Sequence, residues 1–236
     1  MNAPRIEPSG DQCLIVEFGT TIDIEINRRA CAFARRVEAA ALPGVLDVVP
    51  SFTAVGVHYR AAAVARDGSQ TPYAALRRAV EALLAEPLHG DDGQTRLVEI
   101  PVCYDAEFGP DLVEVAAATG LDVDEVVRLH GQTTGRVFMI GFAPGHPFIG
   151  LWDEKLAVPR RTTPRTKVPA GSVAIANRQS NVYPYDLPGG WNVIGRTPLR
   201  MFDPLRESPG LLRAGDSVRF VRISRAEFDA MEVTPR

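Results

Sequence analysis

The stretch Arg136–Asp203, RVFMIGFAPGHPFIGLWDEKLAVPRRTTPRTKVPAGSVAIANRQSNVYPYDLPGGWNVIGRTPLRMFD, decides how the second half of this chain folds. Glycine and proline recur in it every few residues, so the backbone is held in turns and defined loops instead of long regular elements. Between those turns Val137–Ile140, Gly171–Ala176, Trp191–Gly195 and Arg200–Phe202 read as short strands, with Ser217–Ile223 farther on. Many short strands with Gly/Pro corners predict a closed or nearly closed β-barrel. The same stretch carries a charge inversion. From Lys155 to Tyr185 there are six basic residues (Lys155, Arg160, Arg161, Arg165, Lys167, Arg178) and no acidic one, while the whole chain is at −3, so the remainder stands at −9. Two explanations stay open: a solvated basic face, or an anion site on a rigid, loop-rich frame.

Upstream the pattern is different. Residues 5–18 read as a hairpin turning at Ser9-Gly10-Asp11. Asp23 caps a helix to about Ala41 whose stripe is Ile26, Ala30, Phe33, Ala34, Val37 and Ala41, and Pro43-Gly44 stops it. Strands Val45–Val49 and Ala54–Tyr59 follow. Thr71 caps a second helix with Pro72 at its first position and Leu76, Val80, Leu83 and Leu84 along one face. The order ββαββα predicts a small α+β sandwich with both helices on one side. The polar segment His89–Gln94 is the expected linker, dividing the chain into an α+β domain (1–92) and a β-barrel domain (93–236). The second part opens with a strand, Arg96–Val102. A helix bearing Leu112, Val115 and Ala116 ends at Gly120, and an Asp122/Glu125 capping box starts another, Val123–His130, closed by Gly131. Ser224 and Glu227 cap a final helical turn.

Composition narrows the function classes. At 236 residues with 45% apolar and 23% charged residues, the chain can bury a sizeable core. A net charge of −3 and a pI near 5.9 give no support to nucleic-acid binding. The N-terminus lacks an apolar h-region, and no apolar run approaches the ~20 residues of a membrane span. Cys13, Cys31 and Cys103 are odd in number, far apart and without metal-ligand spacing, as expected of small core residues in a reducing cytoplasm. There is no GxxxxGK[ST] loop and no GxGxxG after a strand; Ser172 lies in AGSVA, not in a GxSxG elbow; and no histidine pair has metal spacing. By its motifs this is a binding or half-site protein, without the machinery of a self-sufficient enzyme.

A resemblance covers nearly the whole chain. Gly141-Phe142-Ala143-Pro144-Gly145, Pro159-Arg160-Arg161, Pro164-Arg165, Val168-Pro169-Ala170-Gly171-Ser172-Val173, Tyr183-Pro184, Pro188-Gly189-Gly190-Trp191 and Ile194-Gly195-Arg196-Thr197-Pro198-Leu199 occur in order. They are flanked by lesser matches, among them Phe108-Gly109-Pro110-Asp111 and Leu129-His130. This set resembles the allophanate hydrolase subunit 1 family, which includes the kinase inhibitor KipI and the B component of bacterial 5-oxoprolinase. The resemblance implies an α+β N-terminal domain joined to a cyclophilin-like β-barrel. It also implies a homologous second subunit (of the type of allophanate hydrolase subunit 2 or the C component of 5-oxoprolinase) whose own barrel completes a composite site. With a third, LamB/YcsF-type subunit such a pair opens 5-oxo-L-proline to L-glutamate, using ATP at the level of the complex. Two alternatives travel with the family: the carboxyltransferase half of a biotin-dependent urea-degrading enzyme, and inhibition of a histidine kinase.

Lactam opening needs its anionic groups held by fork-shaped cations, which arginine supplies better than lysine. Under that implication Arg160, Arg161, Arg165 and Arg196 form the expected anion-binding set, with Gly145, Gly171 and Ser172 contributing loop backbone and Arg165 also catalytic. The competing reading of each arginine is a salt bridge to the acidic remainder or to a partner. Trp191 is expected in the core or at a partner, and Tyr183 at a partner contact. One position departs from the family: where the relatives carry an aromatic ring this chain has His146, and Leu151 stands where they have glycine. His146 is thus either a tuned acid/base, and so a catalytic residue, or a replacement for a packing ring.

Overall fold

The structure is a computed structural model that describes residues 3–65, 68, 70–88 and 95–232. The chain divides into two compact units, Met1–Thr95 and Arg96–Arg236. The expected linker and the 92/93 boundary fall in residues 89–94, outside the described residues.

The first unit has the α+β arrangement that its sequence predicts. Strands β1 (Arg5–Pro8), β2 (Cys13–Glu17), β3 (Val45–Pro50) and β4 (Ala54–Tyr59) form an antiparallel sheet in the order β1-β2-β4-β3. Alternation turns Leu14 and Val16 of β2 and Val55, Val57 and Tyr59 of β4 to one face. There they pack with Phe33 and Val37 of α1 (Ile24–Ala40) and Leu76 and Val80 of α2 (Pro72–Ala85). Both caps form as expected: Asp23 accepts from the Glu25 and Ile26 N–H groups, and Thr71 from the Ala74 N–H.

The second unit is a barrel. Its strands are β5 (Leu97–Val102), β6 (Gly135–Ile140), β7 (Pro147–Gly150), β8 (Arg165–Val168), β9 (Ser172–Ala176), β10 (Gln179–Val182), β11 (Leu187–Gly189), β12 (Asn192–Arg196) and β13 (Ser217–Arg222). Among the described residues seven of them run in the order β12-β9-β10-β7-β6-β13-β5, with β13 and β5 parallel. The two edges meet in a single bridge: Cys103 N–H donates to the Arg196 carbonyl and Arg196 N–H to that of Cys103, both at 2.9 Å. That bridge nearly closes the sheet on itself and shortens its exposed edges. Helices α3 (Leu112–Thr119) and α4 (Val123–Gln132) lie between β5 and β6, and α5 (Arg225–Glu232) ends the described chain.

Strand β9 shows why its sequence is apolar throughout. Val173 and Ile175 point into the barrel with Ile100, Val137, Ile149 and Phe220. Ala174 and Ala176 point outward, beneath a two-stranded ribbon of β8 and β11, where Val168, Tyr183, Trp191 and Val193 form a second apolar layer. The strand is covered on both faces.

Three expectations are corrected. Arg200–Phe202 is not a strand; Phe202 makes one bridge to Gly210, because Pro204 and Pro209 limit pairing on either side. Gly131 does not end α4, which continues to Gln132; the missing side chain there lets the helix approach β13, since a Cβ would stand 3.1 Å from the Phe220 carbonyl. The capping box is half made: Asp122 accepts from the Glu125 N–H, but the Glu125 carboxylate turns to Arg128. Strands β7, β8, β10 and β11, of three or four residues each, add to the predicted set; none is long enough to show a period of its own.

Candidate functional site

Asp111 organises the basic stretch, although its sequence marks it only as the end of Phe108-Gly109-Pro110-Asp111. It is 1% exposed at the start of α3. Arg165 donates to it through both terminal nitrogens, Nη1 to Oδ2 at 2.7 Å and Nη2 to Oδ1 at 2.6 Å. Arg161 Nη1 donates to Oδ1 at 2.7 Å and also to Glu114 Oε2 at 2.9 Å. The Val193 N–H of β12 donates to Oδ2 at 2.7 Å. One buried carboxylate thus ties α3, β8 and β12 together through charge-assisted bonds. The hydrogen bond to Asp111 holds the Arg165 guanidinium's pKa above its ordinary value.

The local charge inversion is largely neutralised in space. Beyond Arg161 and Arg165, Lys167 pairs with Asp186 at 2.8 Å and Arg178 with Glu154 at 3.2 Å. Arg160 differs. No carboxylate among the described residues lies within ion-pair distance, and its guanidinium sits over the Trp191 ring, 5.5 Å from the centroid. Arg160 and Arg161 edge a cleft of about 300 Å³, with Glu114, Thr162, Thr163 and Asn192 on its other sides. The Arg161 Nε is buried there without a partner among the described residues.

Arg196 does not join this group. Its Nε donates to the Ala170 carbonyl at 3.0 Å and its guanidinium lies 5.7 Å from the Phe108 centroid, at the barrel's closing bridge. The expected four-arginine set is therefore split: strand β12 carries Arg196 to the Phe108 side, while β8 and the segment before it carry the other three toward Asp111 and Trp191. Gly145 and Gly171 hold left-handed backbones, with φ of 76° and 79°. The Gly171 N–H already donates to the Tyr183 carbonyl at 2.8 Å, and the Ser172 N–H to that of Pro169 at 3.2 Å, so neither is open to a ligand. Ser172 itself is buried. Tyr183, expected at a partner contact, is 1% exposed within this unit, and Trp191, expected in the core or at a partner, is 6% exposed; both belong to its outer apolar layer. Burial beneath the β8–β11 ribbon removes them from any surface.

His146 lies in that layer, 2% exposed. Its ring stands 5.3 Å from Tyr183, 5.1 Å from Phe148 and 5.3 Å from Phe142, and Nδ1 has no hydrogen-bond partner among the described residues. Burial pushes its pKa down to about 4, so the imidazole is neutral at pH 7. The ring packs as the family's aromatic would, yet keeps an unpaired polar atom. Of its neighbours, Phe142 stands in the Gly141–Gly145 motif, while Asn181 is marked by none. Asn181 is 1% exposed, and its Oδ1 is buried without a partner among the described residues. Phe142 is 66% exposed and holds φ at 71°, a left-handed backbone that few aromatic residues adopt.

Comparison with known proteins agrees with this architecture. Residues 4–212 match the family described as carboxyltransferase domain, subdomain C and D. A Bacillus subtilis (strain 168) protein named as the B component of 5-oxoprolinase is 43% identical over 229 residues, 96% of this chain and 95% of that protein. Among solved structures, TTHA0988 superposes with a TM-score of 0.78 at 38% identity, covering 90% of this chain; this chain spans only 40% of that one. The K. lactis urea amidolyase superposes with a TM-score of 0.72 at 20% identity over 97% of this chain and 15% of its own, a likeness of fold. This chain belongs to the family of the carboxyltransferase domain, subdomains C and D.

Proposed function

We propose that the chain is one subunit of a cytoplasmic, ATP-dependent 5-oxoprolinase that opens 5-oxo-L-proline to L-glutamate. The observation that carries this reading is the 43% identity to a protein named as the B component of 5-oxoprolinase, over 95% of that protein's length. The partners are a homologous second subunit, which completes the site, and a third subunit of the LamB/YcsF type. ATP supplies the activation that a poorly electrophilic lactam carbonyl needs, at the level of the complex.

The chain's own contribution is electrostatic and positional. Two guanidinium groups share the Asp111 carboxylate, and Arg160 adds a third positive charge against Trp191 beside the 300 Å³ cleft. The cleft suits a small carboxylate, with Arg160 as its cation. Arg165 acts from the Asp111 pair, fixing the ribbon of β8 and β11. Arg196 braces the barrel's closing bridge. His146 is neutral and takes part by hydrogen bonding.

The experiment is co-expression with the second and third subunits, followed by 5-oxoproline-dependent ADP release. Turnover is expected from the complex of all three, and Arg160→Ala is expected to raise KM for 5-oxoproline about tenfold, the loss of roughly one charged hydrogen bond. A reconstituted complex that releases no ADP in response to 5-oxoproline would refute the reading. Carboxyl transfer from carboxybiotin by the same complex would favour the carboxyltransferase alternative.

A further inference from the structure

The cleft edged by Arg160 and Arg161 already contains a carboxylate. Glu114, in the first turn of α3, lines it and places Oε2 2.9 Å from Arg161 Nη1, with its side chain 69% exposed. That contact is the one hydrogen bond the Glu114 carboxylate makes among the described residues. The same Nη1 donates to Asp111 Oδ1 at 2.7 Å, but the two carboxylates are held very differently. Asp111 is buried and accepts from Arg161, from both terminal nitrogens of Arg165 and from the Val193 N–H. Pulling it away would leave buried charge uncompensated. Glu114 holds on by one oxygen in a solvated position, and an exposed pair of that kind contributes little. Another carboxylate can replace it at small cost.

We propose that Glu114 is an internal competitor for the ligand: a small carboxylic acid entering the cleft displaces it from Arg161 Nη1 and takes its seat there, with Arg160 as the second cation. The inference rests on the reading of this cleft as the binding place of a small carboxylate. Arg161 stays anchored by Asp111, so its donor remains in position when Glu114 leaves. Arg160, the preceding residue, has no carboxylate within ion-pair distance among the described residues and adds a positive charge at the cleft's edge. Val115, Ala118, Val158 and Pro159 supply hydrocarbon against which a small ring can lie, and a volume of about 300 Å³ is at the lower end of the range for small-ligand pockets. The exchange swaps one guanidinium-to-carboxylate hydrogen bond for another of the same kind, so its balance is set by what the ligand touches besides Arg161. Glu114 thereby lowers the affinity of an entering carboxylate by the strength of its own pair.

The test is calorimetric titration of the full chain, alone and in the reconstituted complex. The probes are 5-oxo-L-proline and cyclopentanecarboxylate, a ring of the same size that bears the carboxylate but no lactam. Two variants separate contact from charge. Glu114→Gln removes the charge, while Glu114→Asp keeps it but is one methylene too short for the Arg161 contact. Both are expected to bind both acids about 3-fold tighter than the parent, since each vacates the seat. A gain in Glu114→Gln alone would mean that only the field of the carboxylate matters, and would overturn the proposal. Unchanged affinity in both variants, with a loss of stability in urea, would make the pair merely structural and overturn it equally. So would the failure of both acids to bind either preparation. The expected gain in both variants without 5-oxoproline-dependent ADP release from the complex would sink the functional reading and leave Glu114 as the competitor. ADP release with no gain in either variant would do the reverse.

Discussion

Two buried histidines in one barrel make opposite use of their nitrogens. His130, inside the barrel and 0% exposed, is stacked between Phe220 and Trp152 at 4.4 and 5.3 Å, and both nitrogens are matched: Nδ1 with the Tyr104 hydroxyl at 2.8 Å, Nε2 with Ser180 Oγ at 3.1 Å. His146, in the outer layer, is almost as buried but keeps Nδ1 unmatched among the described residues. Burial pushes both down, to about 3 and about 4. What separates them is satisfaction. A fully partnered buried histidine rigidifies a core, whereas one with a spare nitrogen marks a place where something else is meant to bind or where stability has been given up.

The strongest way to break this contrast is through the ionic hub that fixes the outer layer. Asp111→Ala strands two partly buried guanidinium groups and is expected to cost about 3–5 kcal/mol in urea unfolding. A cost below about 1 kcal/mol would mean that the outer layer is held by apolar packing alone. Next, the inner network should be intolerant. Tyr104→Phe leaves His130 Nδ1 without a partner and is expected to cost about 1–3 kcal/mol, read in the same way.

Acid should expose both histidines. Each is neutral in the fold and has a folded pKa below its unfolded value, so the unfolded chain binds more protons as the pH falls through about 6.5. Their contributions are complete above that pH. Each is lost at up to about 1.4 kcal/mol per pH unit on acidification, until the folded pKa near 4 for His146 and near 3 for His130. Urea midpoints between pH 7 and 4 should fall, and less steeply in His146→Phe than in the parent chain. An equal slope in the two would show that His146 is not desolvated. The smallest expected effect is that of His146→Phe at pH 7. Removing an unpaired buried polar atom at nearly constant volume should leave stability within about 1 kcal/mol of the parent or slightly above it. His130→Phe, by contrast, should destabilise by about 1–3 kcal/mol, because Tyr104 loses its partner. Equal outcomes for the two substitutions would erase the distinction.

Much of the fold is legible in the residues. The α+β order, both helix caps of the first unit and the barrel's dependence on Gly/Pro corners follow from local preference, because a cap, a turn or an amphipathic stripe is written within a few positions. The short strands are less so. A segment such as Gln179–Val182 becomes a strand because β7 and β9 flank it, and no property of its own residues announces that.

The candidate site is legible in part. Arg160, Arg161, Arg165 and His146 lie around one outer layer and its cleft, as their clustering in the chain suggests; Asp111 and Phe142 stand in family motifs that do not reveal their partners, and Asn181 stands in none. Asp111 sits 50 residues before Arg161 and 54 before Arg165, so the ion pairs that cancel the basic run cannot be read from charge along the chain.

What sequence alone determined is the kind of element each segment forms and the family it belongs to, since those rest on near-neighbour chemistry and on motif order. Only the tertiary structure decided, among the described residues, which charges neutralise one another, which arginine is left without a carboxylate, and which buried nitrogens go without a partner. Burial and pairing belong to surfaces brought together across a closed sheet, and no residue carries that information by itself.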